Sequence, residues 1–181
     1  ARGRNLGDFS LRRTQGTDAG MKAARCSHIA GFAATSNVLA GKRYGISIAG
    51  TMAHSFIASF DHEIDAFRAF MRSFPNRSIL LIDTYDTLAG ARKAAVVAKE
   101  MELQGHRLLA VRLDSGDLIA LSHQVRRILD QEGLAHVEIF ASGGLDEYEV
   151  EAILEAGGPV DGFGVGTQMG VSGDAPWLDN A

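Results

Sequence analysis

From Tyr44 onward, short apolar runs alternate with segments of helical period. The runs are Ile46–Ala49, Ile79–Ile82, Leu108–Leu113, Val137–Ala141 and the glycine-rich Gly162–Gly166. Each is nearly continuous in apolar residues, the pattern of strands buried on both faces in a parallel sheet. Between the first two, Phe56, Phe60, Ile64, Phe67, Met71 and Phe74 fall on one face of a single predicted helix, which Pro75 ends. Asp86 starts an alanine-rich helix closed by Gly105. Asp117 caps a third helix, with Leu118, Leu121, Val125, Ile128 and Leu129 on one face and Gly133 as its stop. Asp146 and Glu149 have capping-box spacing ahead of Val150, Ile153 and Leu154, with Gly157 at the end. Strand ends therefore recur roughly every 30 residues, the rhythm of successive right-handed βα units.

The lead-in, residues 1–45, is polar, turn-rich and glycine-rich, with one short helix expected from Asp18 to Ala30 before Gly31. No low-complexity linker interrupts the chain, so 1–181 reads as a single α/β domain with mostly parallel strands. An open doubly wound sheet and a (β/α) barrel both fit. A complete barrel takes about 250 residues, so the barrel reading makes this an incomplete portion of one. The initial Ala1, in place of a methionine, favours that reading.

Composition narrows the field. Of 181 residues, 46% are hydrophobic and 22% charged, the balance of a globular protein rather than a disordered one. The net charge of −4 supplies no overall basic field for nucleic acid or an acidic membrane. No apolar run approaches the roughly 18 residues of a membrane span. A single cysteine, Cys26, excludes an internal disulfide and suits a reducing, cytoplasmic setting. The 21 glycines are about twice the average share, which directs attention to loops where backbone approaches a ligand.

In parallel α/β folds, ligands bind at the carboxyl ends of the strands. Those ends read Gly50-Thr51-Met52-Ala53-His54, Asp83-Thr84-Tyr85-Asp86, Arg112-Leu113-Asp114-Ser115-Gly116-Asp117, Ser142-Gly143-Gly144-Leu145-Asp146 and Gly164-Val165-Gly166-Thr167. The two glycine loops either cradle a phosphate on bare amides or only make tight turns. Arg112 and Asp114 share one side of their strand and either hold a ligand or form a structural ion pair. His54, taken to follow a strand directly, is either a site residue or a hydrogen-bonded structural histidine. No zinc site is expected, because the other histidines stand at no ligand spacing to His54 and Cys26 is alone. Asp8, Phe9, Arg12 and Arg13 form either a clamp beside a stacking ring or an ordinary charged segment.

These residues carry a resemblance. Asp8-Phe9-Ser10-Leu11-Arg12-Arg13-Thr14-Gln15-Gly16, Gly31-Phe32-Ala33-Ala34-Thr35-Ser36-Asn37, Gly50-Thr51-Met52-Ala53-His54-Ser55 and Arg112-Leu113-Asp114-Ser115-Gly116-Asp117, with the two glycine loops, stand in the order of the nicotinate phosphoribosyltransferases. The chain resembles the central portion of that type II phosphoribosyltransferase family. The resemblance implies an incomplete, irregular, TIM-like (β/α) barrel and a homodimeric complete enzyme. It implies ATP-coupled, ligase-type transfer from phosphoribosyl pyrophosphate to nicotinate, giving nicotinate mononucleotide and pyrophosphate in NAD biosynthesis, with Mg²⁺. It assigns phosphate capture from ATP to His54, with Arg112 and Asp114 beside it. Phe9, Arg12, Ser36, Thr51, Arg112 and Asp114 would bind substrate, and Ser142, Gly143, Gly144, Gly166 and Thr167 the 5′-phosphate. Ser36, where related nicotinamide enzymes carry an aspartate, favours a carboxylate substrate, since an aspartate would repel it. The alternatives are a nicotinamide or quinolinate phosphoribosyltransferase, or a non-catalytic portion serving only assembly.

Overall fold

The computed structural model describes residues 2–174. In chain order its elements are β1 (Asn5–Asp8), α1 (Thr17–Ile29), β2 (Ala34–Thr35), α2 (Val38–Tyr44), α3 (His54–Ala58), α4 (Glu63–Ser73), β3 (Ile79–Leu81), α5 (Thr87–Glu102), β4 (Ala110–Leu113), α6 (Leu118–Gln131), β5 (Glu138–Ala141), α7 (Glu147–Glu155), β6 (Gly162–Val165) and α8 (Thr167–Gly170). The class is α/β, and every strand pairing within each of two compact units is parallel.

One unit comprises Thr51–Ala141 and Ile153–Asp161. In it β4 lies between β3 and β5, with Leu81 opposite Arg112 and Leu113 opposite Ala141. Leu80, Leu81, Ile82, Val111, Leu113 and Ile139 are wholly buried. Consecutive strand residues point to opposite faces, so burial of every one means both faces are covered, as the unbroken apolar runs require. Each such side chain contributes about 1.5–3 kcal/mol. The helices begin where their caps predict: Asp86 accepts from the Ala89 N–H at 2.7 Å and Asp117 from that of Ala120 at 3.0 Å. Helix α5 lies close to the strands because its buried face is small: Gly90, Ala91, Ala94, Ala95 and Ala98.

The other unit comprises the described parts of Ala1–Gly50, Ser142–Ala152 and Gly162–Ala181. Here β1 lies between β2 and β6, with Asp8 opposite both Thr35 and Val165. Met21, Ala24 and Ala40 form a small core between α1 and α2. Asn37 caps α2, accepting from the Ala40 N–H at 3.0 Å. The capping box at Asp146 and Glu149 is formed: each carboxylate accepts from the other's backbone N–H, at 2.8 and 3.2 Å.

Three expectations are corrected. The run Ile46–Ala49 makes one bridge, Thr35 to Ile48, instead of a strand; Ile46 is buried but Ile48 is 52% exposed, so the run lacks two covered faces. The turn-rich lead-in instead holds two strands, β1 and β2. The helix expected through Phe56 and Phe74 is two helices, broken between Ala58 and Glu63. At the break the Ser59 hydroxyl donates to the Phe56 carbonyl at 2.7 Å, a local bond that competes with helical continuation. Phe56 still packs edge-on against Phe60 and Phe70, so the aromatic stripe survives the turn.

Candidate active site

Within the unit built on β3, β4 and β5, four sequence-predicted residues form one connected group. Arg112 is the third residue of β4, and Asp114 follows the strand's end. Both side chains are mostly shielded, 13% and 22% exposed. The Arg112 guanidinium donates to the Thr51 hydroxyl at 2.7 Å through Nη1 and to Asp114 Oδ1 at 2.5 Å through Nη2. The other Asp114 oxygen lies 3.5 Å from His54 Nε2. Thr51, Arg112, Asp114 and His54 thus run as a chain from hydroxyl to guanidinium to carboxylate to imidazole. Asp117, from the same motif, belongs to the helix cap instead.

His54 does not follow a strand, as expected from the sequence; it opens α3. Its Nδ1 lies 3.1 Å from the Thr84 hydroxyl. A carboxylate only accepts, so the proton of neutral His54 is best placed on Nε2, toward Asp114, leaving Nδ1 to accept from Thr84. Its side chain is 45% exposed, open to a ligand while held at both nitrogens.

Three further residues were named in the sequence only as strand-end positions or motif members. Thr84 fixes His54. Asp83 Oδ2 accepts from the Asp114 N–H at 2.9 Å and from the Ser115 hydroxyl at 2.6 Å. The signal was the polar string Asp83-Thr84 directly after a buried strand, but partners thirty residues away were needed to give it meaning. Among the described residues, no three His, Cys, Asp or Glu side chains gather as a metal cage.

The remaining predicted residues lie in the unit built on β1, β2 and β6. Phe9 leaves β1 with its N–H donating to the Val165 carbonyl at 2.8 Å. Gly166 follows, and a Cβ there would stand 2.8 Å from the Phe9 carbonyl oxygen. The strand ends carrying the ring and one glycine loop are therefore in contact. Ser36 is tied to the same place, its N–H donating to the Asp8 carbonyl at 2.8 Å. Beneath them the buried Asp8 carboxylate accepts from the Ser10 N–H at 2.9 Å and from the hydroxyls of Ser10 and Thr35, each at 2.6 Å. That anchor was overlooked in the sequence, where Asp8 stood in a charged group without a partner. Arg12 is exposed on the turn that follows. Thr167 opens α8.

Ser142 is buried, while Gly143 and Gly144 are exposed with φ of +105° and +75°. Two successive residues in that region favour glycine, and they lie exposed just ahead of the α7 capping box.

Parallel α/β scaffolds of this class bind their ligands at the carboxyl ends of the strands. Residues 5–172 match the model of the nicotinate phosphoribosyltransferase (NAPRTase) family, and the chain belongs to that family. It is 55% identical over 183 aligned positions to nicotinate phosphoribosyltransferase pncB2 of Mycobacterium tuberculosis, covering 100% of this chain and 39% of the relative. It is 40% identical to the nicotinate phosphoribosyltransferase of Bacillus subtilis, covering 94% of this chain and 35% of the relative. The chain therefore spans about two fifths of the curated relatives it matches. Among solved structures, it superposes on nicotinate-nucleotide pyrophosphorylase from Pyrococcus furiosus with a TM-score of 0.81 at 29% identity, covering 98% of this chain and 44% of that one. Human nicotinic acid phosphoribosyltransferase gives 0.77 at 28%, covering 90% and 43%.

Proposed function

We propose that the protein containing this chain transfers the phosphoribosyl group of phosphoribosyl pyrophosphate to nicotinate, coupled to ATP hydrolysis. The observation that carries this reading is the contact series Thr51–Arg112–Asp114–His54, two hydrogen bonds followed by a 3.5 Å approach of Asp114 to His54 Nε2. Family membership supplies the substrate class.

Bond formation joins the pyridine nitrogen to ribose C1 as the C1–pyrophosphate bond breaks. Positive charge grows on C1 and negative charge on the leaving group, so the protein's work is positioning and charge placement. Asp114 is suited to accept a ribose hydroxyl, and Arg112, already steadied by Thr51, to meet the nicotinate carboxylate. Phe9 offers a ring face for the pyridine, with Arg12 and Ser36 on neighbouring turns. Ser142, Gly143, Gly144, Gly166 and Thr167 offer amides and hydroxyls to the 5′-phosphate.

Mg²⁺ takes few protein carboxylates and travels with substrate phosphates; bound with phosphoribosyl pyrophosphate, the ion would neutralise charge on the departing pyrophosphate. In the ATP half-reaction, the unprotonated His54 nitrogen attacks the γ-phosphorus, the bond to the ADP oxygen breaks, and phosphohistidine forms. Asp114 steadies the ring through Nε2 for that attack, and the Thr84 hydroxyl turns away from Nδ1 to free its lone pair. Later transfer of the phosphoryl group to water frees the imidazole again.

Incubation of the whole protein with Mg-ATP, followed by intact mass measurement, tests the coupling. The expected result is an acid-labile gain of one phosphate, absent in His54→Ala. Nicotinate turnover at full ATP-coupled rate in His54→Ala would overturn it.

A further inference from the structure

The end of β3 braces the His54–Asp114 pair from both sides. Thr84 meets His54 directly. Its neighbour Asp83 meets neither His54 nor Arg112 in any bond described, yet it is 9% exposed and turned inward. The β3–β4 ladder explains where it points. Leu81 lies opposite Arg112, and the Ile82 N–H still donates to the Arg112 carbonyl at 3.2 Å. One residue further, the backbone bonds stop and the Asp83 carboxylate takes over. Its Oδ2 accepts from the Asp114 N–H at 2.9 Å and from the Ser115 hydroxyl at 2.6 Å. Its Oδ1 is buried and has no donor among the described residues. Every hydrogen bond this carboxylate makes there therefore goes to the loop that carries Asp114. A buried carboxylate oxygen without a donor is unfavourable in a purely structural role.

We propose that Asp83 is a positioning residue: it extends the β3–β4 ladder by one rung and thereby fixes Asp114 between Arg112 and His54. The proposal rests on the reaction proposed above, in that it gives Asp114 its importance. Acting through another residue has a distinct signature. The effect of removing Asp83 must vanish once Asp114 is already gone, whereas a general loss of packing is felt in both backgrounds.

The test is a double-mutant cycle in the whole protein, with Asp83→Ala, Asp114→Ala and the double variant. In nicotinate turnover, Asp83→Ala is expected to lower kcat/KM by about tenfold or more in the wild-type background and by less than about twofold beside Asp114→Ala. The second readout is the NMR position of the His54 ring signals, which needs no turnover. Asp83→Ala should move them, and the double variant should match Asp114→Ala alone. Unmoved ring signals in Asp83→Ala, or the same displacement in both backgrounds, would overturn the proposal. Asp83→Asn keeps an acceptor oxygen, so it replaces Asp83→Ala in the same cycle if the alanine variant does not fold; a smaller displacement, again absent beside Asp114→Ala, is expected. A wild-type protein that does not turn over nicotinate would sink the reaction reading, and the ring-signal cycle would still decide the role of Asp83.

Discussion

Replacing Gly90 by alanine sets two opposed effects against each other. Gly90 is buried in the first turn of α5. Alanine favours a helix over glycine by about 1 kcal/mol, so on propensity alone the change stabilises. A Cβ at this position would overlap the Ile82 carbonyl oxygen and stand 2.9 Å from its carbon and 3.2 Å from Cα. Those atoms are backbone at the end of β3, held by the bond from Ile82 N–H to Arg112, so no side chain can swing aside. Helix α5 must withdraw, by on the order of 1 Å, and overpacking of this kind costs about 1–3 kcal/mol or more. Withdrawal also loosens Ala91, Ala94 and Ala95, whose methyl groups each contribute about 0.8 kcal/mol when buried. The net expectation is destabilisation by roughly 2 kcal/mol, which lowers Tm by about 4–8 °C in a chain of this size. Thermal melting followed by circular dichroism reads it directly. A Tm equal to or above that of the unaltered protein would show that the close approach of α5 to β3 is wrong.

Other outcomes follow from the same contacts. Asp8→Ala strands the Ser10 N–H and two hydroxyls in a buried place, so urea unfolding should show a loss of about 2–4 kcal/mol; a loss under about 0.5 kcal/mol would contradict the buried anchor. Arg112→Lys cannot meet Thr51 and Asp114 at once with a planar fork, so kcat/KM for nicotinate should fall about 10- to 100-fold, and near-normal turnover would refute the need for both contacts. Arg68 grips Glu100 with two bonds, at 2.7 and 2.9 Å, and holds its carboxyl below the ordinary value of 4.5. A depressed carboxyl contributes stability above its unfolded pKa and loses it as pH falls through the folded value. The stability advantage over Glu100→Gln should therefore be full at about pH 6, start to fall as pH drops past the ordinary carboxyl value and be lost as it falls on through the depressed one. An advantage that persisted at low pH would mean the ion pair is not its source.

What the chain's pattern determined by itself is local. Strands β3 to β6 announced themselves because a strand covered on both faces reads as a nearly continuous apolar run. Asp86, Asp117 and the Asp146–Glu149 pair marked helix starts because a cap needs only bonds a few residues away. The motifs around Thr51, His54, Arg112 and Asp114 were visible because each is a contiguous run of residues in the order of a known family. The tertiary structure decided the rest. Strand β1, with Asn5 and Gly7 inside it, has no apolar signature and exists because β2 and β6 flank it. Ile46–Ala49 has the signature, yet only one bridge is offered to it. The break before α4 is silent in a 3.6-residue pattern, since the phenylalanines keep their contacts across it. The roles of Asp8, Asp83 and Thr84 were equally hidden. Each acts through partners between two and about thirty residues distant, and a hydrogen bond across that range is set by how strands are paired, which no local pattern records.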